Sequence, residues 1–331
     1  MLCSGWTPRV AGEAVTAPHS TQWPRARNTR IIEVGRSVRS PRCRASDEDA
    51  PDVSAGNRLG PLLKKKHAAV NQMLGELGTD TLQERLEEAT QMPTQPSHRL
   101  AALVQEISMG NTAQPRPVLV LEMGRDSPTT TSAELTERAQ HYVNCGAHAL
   151  ALQTCNEDGT TNLGDLFAVV RSVRVPVLQS DWFLHPIQVV DAKQAGAAGV
   201  LGVIANITGN STPLLSSFTA AVGMDAPVEV VNELELHNME KYQVPFFGIN
   251  LAVGISLAIP GFRADIADAL LGKMPFGVVT IVGIQSIEEG RLARQAGADC
   301  LLVKRVMLER VGVKGVRAMM RELEYACSGD D

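Results

Sequence analysis

Gly-Ala-His-Ala-Leu-Ala-Leu-Gln at 146–153, Gly-Ala-Ala-Gly-Val-Leu-Gly-Val at 196–203 and Gly-Ala-Asp-Cys-Leu-Leu-Val-Lys at 297–304 read as three copies of one junction. In each, Gly-Ala leads into a mostly apolar run. The glycine supplies the left-handed residue that ends a helix, and the small residue after it lets the chain turn at once into a strand. The copies start 50 and then 101 residues apart, close to even numbers of strand–helix units.

Working outward from these junctions, eight short apolar runs begin near Val118, His148, Val175, Ala198, Pro227, Val244, Gly277 and Asp299. They are nearly continuous rather than alternating, as strands covered on both faces should be. The intervals leave room for one crossover helix each. Eight strand–helix units predict a (β/α)₈ TIM barrel over 115–331. A doubly wound open sheet would alternate in the same way, but no G-x-G-x-x-G follows the first strand. Thr131-x-x-Glu134 and Ser286-x-x-Glu289 are capping-box sequences that start helices. Upstream, Leu59–Leu77, Thr81–Ala89 and Ser97–Ile107 read as extra N-terminal helices within a 46–114 segment. The run Lys64-Lys65-Lys66 in the first of them reads as a solvated face.

Composition narrows the function classes. Of 331 residues, 44% are hydrophobic and only 4% aromatic, a balance that suits close helix–sheet packing in one large domain. No apolar run approaches the roughly 18–20 residues of a membrane helix, so no membrane partner is expected. Residues 1–45 hold eight Arg, no Lys and two acids, Glu13 and Glu33, among Ser, Pro and Thr. That is the composition of an organelle transit peptide, ending before Asp47-Glu48-Asp49, and it predicts import into the chloroplast stroma. The alternative is a basic arm that binds nucleic acid. Taking those eight and two from 31 basic and 36 acidic residues leaves a net charge of about −11, which disfavours generic nucleic-acid binding. Cys145, Cys155, Cys300 and Cys327 lack metal-ligand spacing; neither disulfide, metal nor cofactor is expected.

Several segments then resemble one family. Val120-Leu-Glu122-Met-Gly124-Arg125-Asp126-Ser127-Pro128 is similar to the first-strand motif I-A-E-x-K-[KR]-x-S-P-S of indole-3-glycerol-phosphate synthases. Val175-Pro-Val-Leu-Gln-Ser180-Asp181-Trp182 resembles the third-strand L-P-[VI]-L-x-K-[DE]-F, and Val228-Glu229-Val230 the fifth-strand [VI]-E-V-H. Phe247-Gly248-Ile249-Asn250, Thr280-Ile281-Val282-Gly283-Ile284 and Leu301-Leu-Val303-Lys304-Arg305 resemble the motifs of strands six, seven and eight. The resemblance covers residues 60 to about 325 and implies a ring closure of a carboxyphenylamino-deoxyribulose phosphate, with loss of CO₂ and water. Such a reaction needs a cation at the ketone and proton donors around the developing alcohol. In the family these are Lys residues of strands one and three and several Glu, with phosphate held on backbone N–H groups after strands seven and eight.

Carried over position by position, Glu122, Glu229 and Asn250 are retained and form the candidate catalytic set. Ser127, Gly283, Lys304 and Arg305 are candidates for substrate or phosphate binding. Gly124 and Ser180 stand where the two Lys belong, Ile281 where the family has Glu, and Val282 where it has Ser. Leu251-Ala252 replaces Asn-Arg, and Lys304 replaces a Gly. Each retained residue also has a plainer reading. Ser127-Pro128 is a turn signal, Asn250 can bond loop backbone, and Lys304 can neutralise Glu122 or Glu229 and plug the mouth. His185-Pro186 reads as a helix start before a general base, and Cys155 as a structural thiol before a redox one. Val282 and Lys304 are expected to fill part of the phosphate cradle. The implied function is a non-catalytic or repurposed barrel binding a phosphorylated metabolite or a protein partner; the alternative is an active synthase.

Overall fold

The computed structural model describes residues 59–108, 116–249, 251 and 264–328. The leader expected at 1–45 and the position Asn250 lie outside them. After α1 (Leu59–Leu77), α2 (Thr79–Gln91) and α3 (Arg99–Ile107), strands and helices alternate. The order is β1 (Val118–Met123), α4 (Ser132–Asn144), β2 (Ala149–Gln153), α5 (Leu163–Ser172), β3 (Val177–Ser180), α6 (Pro186–Gln194), β4 (Gly199–Leu201) and β5 (Val203–Ile204). Then come α7 (Ala205–Thr208), α8 (Thr212–Ala221), β6 (Val228–Glu229), α9 (Glu233–Glu240), β7 (Phe246–Ile249), α10 (Ala264–Leu271), β8 (Val279–Ile284), α11 (Ile287–Gln295), β9 (Cys300–Val303) and α12 (Arg305–Ala326).

All strand pairs of the sheet are parallel, in the order β4-β3-β2-β1-β9-β8-β7-β6-β5. The first and last members are fragments of one stretch, the fourth run of the sequence, split at Gly202 with φ 114°. The nine strands therefore occupy eight positions of a TIM barrel, interrupted only at this point. The three Gly-Ala junctions have the expected backbone: Gly146, Gly196 and Gly297 sit at φ 111°, 89° and 102°.

Period-two alternation divides the core into two layers. Leu119, Leu121, Val177, Phe247, Val282, Leu301 and Val303 belong to an outer layer between sheet and helices. Val118, Val120, Ala149, Ala151, Leu178, Phe246, Ile281, Cys300 and Leu302 fill the barrel interior. The helices start where capping chemistry allows. Thr131 accepts from Glu134 N at 3.2 Å while Glu134 accepts from Thr131 N at 2.7 Å. His185 is the N-cap of α6, its Nδ1 accepting from Ile187 N at 3.1 Å ahead of Pro186.

The N-terminal helices grip both ends of the barrel. At the N-terminal end of the strands, Leu100 and Val104 of α3 are fully buried in the inner layer. Asp225, which precedes β6, accepts from Leu100 N at 2.8 Å and so caps α3 from across the fold. The side of the fold is held by α2, where Arg85 reaches Asp191 of α6 at 2.8 Å. At the C-terminal end lies α1, and here the structure corrects the sequence reading of its lysines. Lys64 and Lys65 are exposed, but Lys66 is 1% exposed and pairs with Asp181 at 2.7 Å. The reason is geometric: α1 lies across the end of β3, and its inward face meets a carboxylate 115 residues away in sequence.

Leu100→Ala should destabilise the protein by about 2–5 kcal/mol, the range for a large-to-small change at a fully buried site. Urea unfolding checks this, and a change under about 1 kcal/mol would show that α3 does not seal the barrel.

Candidate functional site

The inward-facing residues at the C-terminal ends of the strands form a ring. Glu122 comes from β1, Gln153 from β2, Ser180 from β3 and Glu229 from β6. Gly248 comes from β7, Gly283 from β8, and Lys304 from the residue after β9. Most of the residues singled out in the sequence therefore converge on one barrel mouth.

The centre of this mouth is an ion pair. Lys304 Nζ lies 3.0 Å from Glu122 Oε1, with the two side chains 8% and 3% exposed. Lys304 also donates to the backbone carbonyl of Leu251. Glu122 receives two further bonds: Gln153 Nε2 donates to Oε1 at 3.2 Å, and Arg305 N donates to Oε2 at 2.9 Å. Arg305 is the first residue of α12, so Glu122 places a carboxylate at that helix N-terminus, where the helix dipole favours negative charge. Three donors, the Lys304 ammonium, the Gln153 amide and the Arg305 backbone N–H, offset the cost of burying this side chain.

Two neighbouring spaces are filled by the chain itself. A Cβ on Gly124 would come within 3.0 Å of Gln153 Cβ and Oε1 and within 3.4 Å of Arg305 Nη1. The guanidinium from the eighth strand's end thus stands beside the position that carries Lys in the family motif. Arg305 Nη1 also donates to Arg125 O at 3.0 Å. Leu251 is fully buried in the inner layer, and its Cδ1 lies 2.4 Å from where a Cβ on Gly248 would be. Its side chain occupies room that only a glycine at 248 leaves open.

Around β8 and α11 the backbone donors are also engaged internally. Gln285 N donates to Glu289 Oε2 at 2.7 Å, and Glu289 N donates to Ser286 Oγ at 3.2 Å. Together with Arg305 N on Glu122, two amides after the seventh and eighth strands already hold carboxylates of the chain. Val282, expected to intrude on the cradle, instead points into the outer layer. Gly283 lines a cavity of about 20 Å³ beside Asp268 and Glu289, two acids and no base.

The remaining candidates are spread around the rim. Glu229 is buried, 4% exposed, and pairs in register with Gly248. The Ser180 hydroxyl is buried at 2% exposure, with no hydrogen-bond partner among the described residues. Ser127 is exposed, its Oγ 2.7 Å from Thr129 Oγ1 in a turn that precedes α4. That turn is pinned: Arg125 bonds Asp165 through Nε at 2.6 Å and Nη2 at 2.9 Å, and Arg138 bonds Gly124 O at 3.0 Å. Burial pushes Asp165 upward, but the Arg125 and Ser132 bonds outweigh it and hold its pKa below the usual carboxylate value. Burial, reinforced by Asp181, pushes the Cys155 thiol up to about 12, so it is a poor nucleophile at neutral pH. Among the described residues no group of three or more His, Cys, Asp or Glu could hold a metal ion.

The match with known proteins agrees with this geometry. The family model for indole-3-glycerol phosphate synthase matches residues 60–323. The chain belongs to that family. An indole-3-glycerol phosphate synthase of Opitutus terrae is 29% identical over 204 residues, 58% of this chain and 75% of the relative. Indole-3-glycerol phosphate synthase 2 of Streptomyces coelicolor is 27% identical over 225 residues, 66% of this chain and 83% of the relative. Among solved structures, tryptophan synthase subunit alpha from Legionella pneumophila superposes with a TM-score of 0.51. It is 14% identical and covers 69% of this chain and 98% of its own, a likeness of fold.

Removing one member of the mouth pair should cost more than removing both. Lys304→Met is expected to lose about 3–5 kcal/mol, because it strands a buried carboxylate. Adding Glu122→Gln should recover part of that loss, giving a coupling energy of about 1–3 kcal/mol in a double-mutant cycle. Additive single losses in denaturant unfolding would mean that the two side chains do not interact.

Proposed function

We propose that this member of the indole-3-glycerol phosphate synthase family has given up the ring closure and acts as a binding or regulatory barrel. One observation carries the reading: the mouth's own Lys304 is spent on Glu122 and on the Leu251 carbonyl, so it is not available to polarise a ketone. The mouth offers little to replace it. Gly124 has no side chain, and the Ser180 hydroxyl is far too weak an acid to act as an ammonium at neutral pH. Losing two positioned cations should lower turnover on the order of 10²-fold or more each.

The engaged amides of Gln285 and Arg305 argue against a backbone phosphate cradle of the family type. A phosphorylated ligand would then be held from the rim, where the Arg305 side chain is 29% exposed. The same guanidinium favours a second reading. It stands beside Gly124, and an active synthase would use it in place of the first-strand Lys.

The two readings separate in a tryptophan auxotroph lacking the synthase. Expression of residues 46–331 is expected to give no growth without tryptophan. Robust growth, abolished by Arg305→Ala, would establish the synthase reading instead.

We also propose that residues 1–45 direct the chain to a plastid, from their eight Arg against two acids. A fusion of this leader to a fluorescent reporter should enter chloroplasts and be shortened near Ala45; retention in the cytosol would dismiss both parts.

A further inference from the structure

A helix that is mostly solvent-facing carries one of the most deeply buried charges in the protein. Lys66 is 1% exposed, and its partner Asp181 is 0% exposed. The ammonium also donates to Thr161 Oγ1 at 2.8 Å, and Asp181 Oδ2 accepts from Thr161 at 2.7 Å and Thr154 at 3.4 Å. Lys66 thus enters a polar cup built from the β2–α5 loop and the end of β3. Next to it, Lys65 Nζ donates to Glu157 O at 2.9 Å.

The loop is shaped to receive α1. Gly159 has φ 87°, and a Cβ there would lie 2.6 Å from Lys65 C and Lys66 N. Only a residue without a side chain allows the helix backbone to pass so close. One turn earlier, Leu62 and Leu63 pack against the inner-barrel layer. The second half of α1 is attached elsewhere: Met73, Leu74 and Leu77 pack on the outer layer. The helix therefore has two separate attachments, one to the mouth and one to the flank.

The two attachments differ in kind. A flank contact made of Met and Leu stabilises by burial and has no alternative partner to exchange with. A buried ion pair is a poor source of net stability, because desolvating both charges offsets most of their attraction. Its best-attested uses are to fix a register and to form a contact that is either complete or absent. The first half of α1 is thus held by Leu62, Leu63 and one contact of the all-or-none kind, at the face of the barrel where ligands enter.

We propose that Leu59–Val70 is a strap closed over the barrel mouth, with Lys66 as its latch, Asp181 as the catch and Gly159 as the seat. The mouth is entered when this half of α1 detaches, while α2 and the second half of α1 stay docked. The proposal is independent of whether the barrel turns over a substrate, since its readouts are not enzymatic.

The test is hydrogen–deuterium exchange on the full chain, comparing wild type with Lys66→Met and Gly159→Ala. The first removes the latch charge. The second leaves the ion pair's groups in place and pushes the helix backbone away, so it covers the case in which Lys66→Met fails to fold. In both variants, amides of Leu59–Val70 should exchange at least tenfold faster. Those of Met73–Leu77, α2 and the barrel strands should keep their wild-type rates. Thiol labelling mapped to Cys155, which lies beside the cup, should also accelerate at least tenfold. Unchanged exchange across Leu59–Val70 in either variant overturns the proposal. So does loss of protection in the strands together with α1, because that would make the helix an inseparable part of the core.

Discussion

A carboxylate fixed inside a barrel must be matched by a cation, and Glu122 imposes that condition on the rest of the mouth. It sits at 2% exposure near the C-terminal end of β1, and nearby groups are placed to satisfy it. Lys304 supplies the charge, Gln153 a side-chain amide and Arg305 a backbone amide at the start of α12. By the motif resemblance, the chain has Gly at 124 and Lys at 304 where the family motifs carry Lys and Gly. These two departures belong together. Without a cation at 304, the loss at 124 would leave a buried charge uncompensated, which costs several kcal/mol. The cation beside Glu122 thus comes from the end of β9 and not from β1.

The same device recurs where the N-terminal helices and the first loop meet the rest of the barrel. Asp225 receives the N-terminus of α3, and Asp181 receives Lys66 of α1. Asp165 at the start of α5 receives Arg125 and Ser132 from the preceding turn and helix. Each is a buried carboxylate that meets a donor from a distant part of the chain. The apolar layers set the number and spacing of strands, but apolar contact is non-directional. These acids supply the direction, fixing where the extra helices and the first loop sit relative to the strand ends.

How much of this could be read from the sequence follows the range of each interaction. The Gly-Ala junctions, the capping boxes and the His185-Pro186 start are local signals, and each sits in the structure where the residues indicated. The interruption at Gly202 was not legible, because Gly-Val-Leu-Gly-Val reads as one strand until its two fragments find different partners. Lys66 was misread for a related reason: three consecutive Lys look solvated, and nothing nearby in the sequence points to Asp181. Val282 was open to a better reading. With Ile281 and Gly283 facing inward, period-two alternation places the residue between them outside. Leu251 was noticed only as a lost Asn, because a plug is defined by the empty space over Gly248 and not by the residue itself.

The plug and the ion pair also constrain each other. Lys304 holds the Leu251 carbonyl, and Leu251 packs over Gly248 in a place an added Cβ would occupy. Restoring a side chain at 124 alone would drive it against Gln153 and Arg305 and set a second cation near Lys304. Restoring Gly at 304 alone would remove the charge that Glu122 needs and the donor that Leu251 O uses. Either single change therefore crowds or strands a buried group, whereas the present set satisfies the mouth pair's groups at once. Packing and charge in this mouth are therefore coupled, so that a change at 124, 248 or 304 is felt at the other two positions.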